Sequence, residues 1–195
     1  MELTYFPGKA ETYPRPSIDN PGYDRPLEGE TVPYVDEAGQ VLGRMSRTYA
    51  HGGSRPLHPV VHMHLVDRQG RIYLQKRSAS KDLYSHKWDT SVGGHVDFGE
   101  SIMDALYREA EEELGLVRFN PVALDTYVFE SRRERELVSV FACVGNFVPV
   151  PNPDEIEKGK WWSVEEVENN LGKSVFTPNF ESEFKRIKDI LLSLL

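Results

Sequence analysis

Cysteine and long apolar runs are both scarce in this sequence. Cys143 is the single cysteine, and no run of about 18 apolar residues occurs. One cysteine excludes an intramolecular disulfide and is typical of a reducing compartment, so we expect a cytoplasmic protein. Without a long apolar run, we expect no membrane span. The segment MELTYFPGKAETYPRP lacks the basic start and apolar stretch of a secretory signal, so we expect no such signal.

Positive charge is outweighed by negative charge. Lys and Arg number 23 against 31 Asp and Glu, which gives a formal net charge of −8. This balance disfavours nucleic acid or an anionic membrane as the main partner, and phosphate binding would need local cations or metals. The 195 residues, of which 39% are apolar, suffice for one globular domain with a real core.

Residues 1–30 are rich in proline and show no hydrophobic periodicity. The prolines are Pro7, Pro14, Pro16, Pro21 and Pro26. We predict an irregular N-terminal arm over residues 1–30 and one domain over residues 31–195. The arm is either a mobile extension or a segment packed on its own domain or on a partner subunit. The last of these alternatives is compatible with a homodimer.

Alternating apolar runs predict that strands dominate the domain. VPYVDEAGQVLGRMS reads as an N-terminal β-hairpin, and VVHMHLVDRQGRIYLQKR as a second hairpin that turns at residues 69–70. DTYVFESRRERELVSVFACVG and KGKWWSV supply further strands. Three helical patterns cover residues 101–114, 164–171 and 180–195. We therefore predict an α+β fold with a mixed sheet flanked by helices.

The pattern SIMDALYREAEEELG places several carboxylates near the end of a helix. Ser101 stands in the capping position, and Gly115 is expected to end the helix. Glu109, Glu112 and Glu113 are spaced i, i+3 and i+4, so they share one stripe. Like charges at this spacing repel, and the negative end of the helix increases the cost. A hard cation such as Mg²⁺ or Mn²⁺ would offset both effects, whereas the alternative is a solvated acidic face.

The stretch GGHVDFGESIMDALYREAEEELGL resembles the Nudix box, G-x5-E-x7-R-E-U-x-E-E-x-G-U, in which U is aliphatic. The fixed positions are filled by Gly94, Glu100, Arg108, Glu109, Glu112, Glu113 and Gly115. Ala110 is small for the first U, and Leu116 fills the last. The resemblance implies a Nudix hydrolase domain over residues 31–195 with the Nudix fold, an α/β/α sandwich.

The resemblance further implies a pyrophosphohydrolase. Such an enzyme cleaves the diphosphate linkage of a nucleoside diphosphate joined to another group, or of a related organic pyrophosphate, with a water activated by Mg²⁺ or Mn²⁺. The implied metal ligands are Glu109, Glu112, Glu113 and the backbone carbonyl of Gly94. Glu100 and Arg108 would form a structural pair. Glu112, together with Glu113 on the same stripe, is the first candidate for catalysis, and Asp154 and Glu155 are the second.

Residues from about 32 to 170 resemble the Nudix branch that includes type I isopentenyl-diphosphate isomerase. In those isomerases three histidines and two glutamates hold a metal, and the matching residues here are His51, His58, His95, Glu134 and Glu136. The resemblance implies a second site for Zn²⁺, Mn²⁺ or Mg²⁺. The alternative is scattered surface histidines and an ordinary charged hairpin. His62 and His64 match nothing in that set, and we interpret them as packing residues.

The same branch places an Arg and a Lys against the substrate diphosphate, and Arg77 and Lys81 of KRSASK correspond to them. The alternative is a solvated strand end. The isomerase cysteine falls where this chain has Gly93, which has no side chain for proton transfer. Because the Nudix box is intact, we predict hydrolysis of a small-molecule diphosphate on an isomerase-like scaffold. An isomerase and a catalytically silent sensing module are the alternatives.

Overall fold

The computed structural model describes residues 29–81 and 83–195, and these residues form two compact units. The first unit takes in the described residues up to Val61 together with Gly94–Ala105 and Thr126–Ser139. The second unit consists of His62–Gly93, Leu106–Asp125 and Val140–Leu195. Residues 1–28, which make up nearly all of the predicted arm, lie outside the described residues. The boundary at residue 30 therefore stays a prediction.

The first unit begins with the hairpin that the alternation predicts. Strand β1 (Thr31–Val35) pairs antiparallel with β2 (Val41–Ser46). At the turn, the backbone N–H groups of Ala38 and Gln40 both donate to Asp36 Oδ1 at 2.9 Å. The chain then enters a one-turn helix, α1 (Arg47–Ala50), which the sequence did not predict. Ser46 caps α1 by accepting from the backbone N–H of Tyr49 at 3.2 Å.

The other seven strands form one sheet. They are β3 (Leu57–Val66), β4 (Ile72–Arg77), β5 (Trp88–Asp89), β6 (Val92–His95), β7 (Val122–Glu130), β8 (Arg135–Val144) and β9 (Ile156–Trp162). Their order is β5-β4-β3-β8-β7, with β6 paired to β3 and β9 paired to β4. The β3–β4 turn lies where the sequence predicts it, since Asp67 Oδ1 accepts from the N–H groups of Gln69 and Arg71 at 2.9 Å.

Three longer helices are α2 (Ile102–Leu114), α3 (Val164–Asn170) and α4 (Pro178–Leu192). They agree with the predicted segments to within three residues at each end. In α4, Thr177 caps the first turn, and the buried side chains of Phe180, Phe184, Ile187 and Leu191 lie along one apolar stripe. The predicted α+β class, with a mixed sheet flanked by helices, is confirmed. Among the described residues, no helix combines the length and apolar character that crossing a membrane requires.

Glycine at position 159 is required by a close approach within the second unit. In the antiparallel register of β4 and β9, Gly159 lies opposite Gln75, and Trp161 lies opposite Tyr73. A β-carbon built on Gly159 would overlap the ring and hydroxyl of Tyr73. The Tyr73 ring is therefore able to lie over β9 only because residue 159 has no side chain.

Candidate active site

Helix α2 presents the acidic stripe directly before it ends. Ser101 Oγ accepts from the N–H of Asp104 at 3.1 Å, as expected for a cap. Gly115 has a φ of +65°, which favours glycine. Its N–H donates to the carbonyl of Glu111 at 2.9 Å, and the N–H of Leu116 donates to that of Ala110 at 3.0 Å. These bonds close the helix with its last turn intact.

Glu113 is the buried member of the stripe, with 3% exposure. Its Oε2 accepts from Gln75 Nε2 and from the backbone N–H of Gly93, both at 3.0 Å. Burial, followed by repulsion from Glu109, raises the pKa of Glu113 to about 8, although the Gly93 N–H opposes the shift. Burial likewise raises the pKa of Glu109 to about 7, against the lowering effect of Arg108. A bound cation would stabilise the ionised form of both carboxylates, so this donor set fits a hard metal ion.

Arg108 joins the other two acids of the stripe. Its Nη1 donates to Glu109 Oε1 at 2.8 Å and to Glu112 Oε2 at 3.2 Å. The side chain of Glu112 is 54% exposed, which makes it the most accessible of the three carboxylates. The predicted partner of Arg108, Glu100, belongs to the first unit, where its Oε2 accepts from the N–H of Asp97 at 3.0 Å. The pairing of Glu100 with Arg108 stays a prediction.

The predicted phosphate-binding cations have acidic or carbonyl partners in the second unit. Arg77 Nη1 donates to Asp89 Oδ2 at 3.3 Å, and Arg77 Nε donates to the carbonyl of Leu83 at 3.2 Å. Lys81 Nζ donates to Glu155 Oε2 at 2.7 Å. Glu155 also repels Glu109 and Glu113, so it lies near the acidic stripe.

Three of the five predicted second-site ligands converge in the first unit. The nitrogens of His51, His58 and His95 all lie within 4.8 Å of one another. His51 Nε2 is 2.8 Å from His95 Nε2, and the His58 and His95 rings stack with centroids 5.3 Å apart. His51 is the C-cap residue of α1, so the unpredicted short helix helps to place it.

The environment of His58 tests whether this cluster fits a metal ion. His58 Nδ1 donates to the carbonyl of Pro56 at 3.0 Å, which leaves Nε2 as the ligand atom. That Nε2 is buried and has no hydrogen-bond partner among the described residues. Burial lowers the pKa of His58 to about 4, so the ring is neutral near pH 7, as a metal ligand must be. The donor set fits Zn²⁺, Mn²⁺ or a similar ion.

Glu134 contacts this cluster through His51. Glu134 Oε2 accepts from His51 Nδ1 at 3.0 Å, and its side chain is only 8% exposed. Arg135 pairs with Glu37 at 2.5 Å and with Glu130 at 2.6 Å, so it occupies the other face of the strand. Glu136 is buried as well, at 8% exposure. Its role as a ligand, like that of the Gly94 carbonyl, stays a prediction.

Sequence reasoning missed Gln75, and it missed the carboxylate that bonds to His62 and His64. Gln75 is a buried polar residue in the otherwise apolar start of β4, and this was an available signal for a partner. The two histidines are buried, as packing residues would be, but each bonds to Glu183 at 2.7–2.8 Å. Glu183 shares the apolar stripe of α4, three residues after Phe180, and a carboxylate there was the signal for a buried polar contact.

The raised pKa values of Glu109 and Glu113 predict how the stability of the metal-free protein depends on pH. A carboxyl with a higher pKa in the folded than in the unfolded chain stabilises the fold below about pH 4.5, and this contribution is lost as pH rises toward about 7 and 8. With EDTA present, the melting temperature should therefore fall more steeply between pH 5.5 and 8.5 in the wild type than in Glu113→Gln. Thermal unfolding monitored by circular dichroism checks this, and parallel pH profiles would contradict it. Added Mg²⁺ should stabilise most at the higher pH.

Comparison with known proteins relates the chain to hydrolases and isomerases alike. A NUDIX domain model matches residues 56–180. An isopentenyl-diphosphate Delta-isomerase of Brevibacterium linens is 32% identical over 173 residues, which cover 83% of this chain and 93% of that protein. An uncharacterized Nudix hydrolase of Yersinia pestis is 32% identical over 150 residues, which cover 77% and 81%. The crystal structure of DR0079 from Deinococcus radiodurans aligns with a TM-score of 0.71 at 27% identity, over 80% of this chain and 98% of that one.

Proposed function

Because the chain belongs to the NUDIX family, we propose that it cleaves the diphosphate linkage of a small organic pyrophosphate with the help of a divalent cation. The predicted enzyme class, a Nudix pyrophosphohydrolase, is confirmed by the family match and by Nudix hydrolases among the relatives. The single observation that carries the proposed mechanism is the buried Glu113, which Gln75 and Gly93 hold in place.

The acidic stripe is proposed to hold Mg²⁺ or Mn²⁺. When bound, the cation neutralises the diphosphate charge and lowers the pKa of a water molecule. Glu113, fixed by two hydrogen bonds, and Glu109 would supply rigid ligand oxygens. Arg108 links Glu109 to Glu112, so it keeps the stripe together.

Proton removal and phosphate binding are assigned to more accessible groups. Glu112 is the first candidate for the base because its carboxylate is half exposed. Glu155 is the second, and its ion pair with Lys81 at 2.7 Å would open when Lys81 turns to a substrate phosphate. Arg77, which is held by Asp89, offers a planar guanidinium to phosphate oxygens. The resemblance to the isomerase branch supports the roles of Arg77 and Lys81, and the exposure of Glu112 supports its role as the base.

A second metal ion is proposed in the first unit, at His51, His58, His95, Glu134 and Glu136. The buried Nε2 of His58, which has no hydrogen-bond partner within residues 29–81 and 83–195, supports this proposal most directly. Imidazole and carboxylate together favour Zn²⁺ or Mn²⁺ over Mg²⁺. We also propose that the protein is cytoplasmic, which its single cysteine supports. The net negative charge of the chain argues against nucleic acid and membranes as partners. A homodimer stays an open alternative.

An assay of hydrolysis with Mg²⁺ tests the proposed function. The substrates are nucleotide sugars, dinucleoside polyphosphates, oxidised nucleotides, coenzyme A, thiamine diphosphate and prenyl diphosphates. We expect one class to be cleaved at an enzymatic rate, and we expect EDTA to abolish the reaction. If the purified protein cleaves none of these substrate classes with Mg²⁺ or Mn²⁺, that result would favour the alternative of a catalytically silent sensing module.

Isomerase activity is the second candidate function, favoured by the name of the Brevibacterium linens relative. Against it, Gly93 has no side chain to move a proton. Cys143 is 1% exposed, and burial raises the pKa of its thiol to about 12. We therefore predict that the protein will not interconvert isopentenyl and dimethylallyl diphosphates. Proton NMR of isopentenyl diphosphate incubated with the protein, Mg²⁺ and Mn²⁺ checks this.

Gly93→Cys is expected to leave the protein inactive as an isomerase. A β-carbon at residue 93 would lie 3.3 Å from His62 Cδ2 and 3.4 Å from Thr90 Cγ2, so the new side chain would be crowded. Dimethylallyl diphosphate accumulating at an enzymatic rate, in the wild type or in the variant, would overturn the prediction. Release of phosphate without an allylic product would support the hydrolase.

A further inference from the structure

The hydroxyl of Tyr73 is a polar group that the proposed mechanism does not use. Tyr73 lies in β4, is 5% exposed, and meets the ring of Trp161 edge to face with centroids 5.3 Å apart. Within residues 29–81 and 83–195, no group forms a hydrogen bond with this hydroxyl. A phenylalanine would fill the same space without a polar group that needs a partner. Packing thus accounts for the ring of Tyr73 but not for its hydroxyl.

The Tyr73 hydroxyl is within reach of solvent. The fully buried side-chain atoms that have no hydrogen-bond partner among the described residues belong to Arg55, His58, His64 and Trp162. Because the Tyr73 hydroxyl has no partner either and is not one of these atoms, part of its surface is open. A ligand on this face of the sheet is therefore able to contact it.

The Tyr73 ring extends along the sheet rather than straight out from it. In the register of β4 and β9, Tyr73 lies opposite Trp161, but its hydroxyl lies where a β-carbon of Gly159 would be. Gly159 lies opposite Gln75. The ring thus runs two residues along the strands, toward the end of β4 that carries Arg77. The hydroxyl lies over β9 beside Gln75, at about the 4.8 Å spacing of neighbouring strands.

Gln75 connects this position with the candidate metal site. Side chains two residues apart in a strand point to the same face, so Tyr73 and Gln75 share one face of the sheet. Leu74 belongs to the other face and packs in the apolar cluster that contains the stripe of α4. The Tyr73 face receives the last turn of α2, because Gln75 Nε2 donates to Glu113 Oε2 at 3.0 Å. The hydroxyl therefore lies on the face that holds the acidic stripe.

The Tyr73 hydroxyl is suited to donate a hydrogen bond to an anion. Burial raises its pKa, so the group keeps its proton at neutral pH. We infer that Tyr73 is a further substrate-contacting residue, whose hydroxyl donates to a phosphate oxygen of the diphosphate on this face of β4. This inference rests on the proposed function, since it takes the diphosphate to lie between the acidic stripe and Arg77. Gly159 leaves the hydroxyl the space to reach that place.

Two tyrosine variants separate binding from a structural role. Tyr73→Phe keeps the ring over Gly159 and removes only the hydroxyl. The matched control is Tyr107→Phe, because the Tyr107 hydroxyl already donates to the carbonyl of Phe119 at 3.1 Å. The probe is imidodiphosphate with Mg²⁺, which contains only the diphosphate group, and its Kd is measured by calorimetry.

The two variants should have opposite effects. Tyr73→Phe should raise the Kd about tenfold or more, the loss usual for a hydrogen bond to a charged group, and should leave the melting temperature unchanged. Tyr107→Phe should lower the melting temperature and change the Kd less than about twofold, because it loses a bond within the protein. With a cleaved substrate, Tyr73→Phe should raise KM more than it lowers kcat, as expected for a contact made before and during the reaction.

Carbon NMR of the wild-type protein gives a second measurement that needs no variant of Tyr73. Imidodiphosphate with Mg²⁺ should shift the signal of the Tyr73 ring carbon that bears the hydroxyl, and it should leave the corresponding signal of Tyr107 unchanged. Tyr107→Phe assigns the control signal by its disappearance.

The outcomes separate this inference from the proposed function. An unchanged Kd in Tyr73→Phe, or a Tyr73 signal that does not move on saturation with the probe, would overturn the inference and show that the hydroxyl only meets solvent. A wild-type protein that does not bind the probe at millimolar concentration would overturn it too. The proposed function fails on a different result, which is normal turnover without the acidic stripe of α2.

Discussion

Glu112→Gln and Glu113→Gln are each expected to lower kcat by at least about 10²-fold, the contribution typical of metal and acid–base groups. Glu113 would lose the negative charge that is proposed to bind a cation, while its side-chain volume stays nearly the same. Glu112 would lose the accessible carboxylate that is the first candidate for the base. Steady-state kinetics on the cleaved substrate, with Mg²⁺ in excess, measure both effects.

Glu111→Gln is the matched control, because Glu111 lies on the same helical turn but is exposed and outside the stripe. It should keep kcat within about twofold of the wild type. Without metal, Glu113→Gln should be as stable as the wild type or more stable near pH 8, since it removes a buried carboxylate whose pKa is raised to about 8. Near-wild-type turnover of both Glu112→Gln and Glu113→Gln would show that α2 is not part of the active site.

His58→Ala is expected to abolish tight metal binding in the first unit. The purified wild-type protein should hold about one Zn²⁺ or Mn²⁺ ion per chain at this site, and the variant should bind it at least about 10²-fold more weakly. Removing an outer-shell partner typically costs 10- to 100-fold, and His58 is proposed as a direct ligand. Elemental analysis of dialysed protein measures the metal content per chain. A competition titration with a chelating dye measures the affinity for the metal.

His86→Ala is the control for this measurement. His86 is an exposed histidine of the second unit, bonded to Glu157 at 2.7 Å. Its loss should leave the metal content unchanged. Circular dichroism must show that His58→Ala is folded, since the variant empties space in the core. A wild-type protein without tightly held metal would refute the second site and leave the proposal for α2 untouched.

Local sequence patterns predicted those parts of the fold that depend on neighbouring residues. The turns of the first two hairpins, the cap at Ser101 and the end of α2 at Gly115 all involve bonds over a few residues, so the sequence was sufficient. The short elements α1, β5 and β6 were missed because two to four residues carry no readable periodicity. Their existence depends on pairing and packing elsewhere in the chain.

The sequence motif named the members of the candidate site but not their environment. The family motif pointed to Glu109, Glu112 and Glu113, yet nothing in their spacing indicated that Glu113 would be buried against Gln75, 38 residues earlier. The carboxylate partner of His62 and His64 was missed for the same reason. Alternation along β3 correctly indicated an inward face, but the partner Glu183 lies 119 residues or more away in the chain. Contacts at such separation are set by tertiary structure.

The space that Gly159 leaves for the Tyr73 ring makes these two positions evolutionarily dependent on each other. A substitution at residue 159 alone would force the ring out of its place on β4, beside Leu74 and Gln75. A smaller residue at 73 would first have to open the space. In a collection of related sequences, side chains at 159 should therefore occur together with small residues at 73, and the two positions should covary. In a mutational library, the double change should be tolerated where the single change at 159 is not.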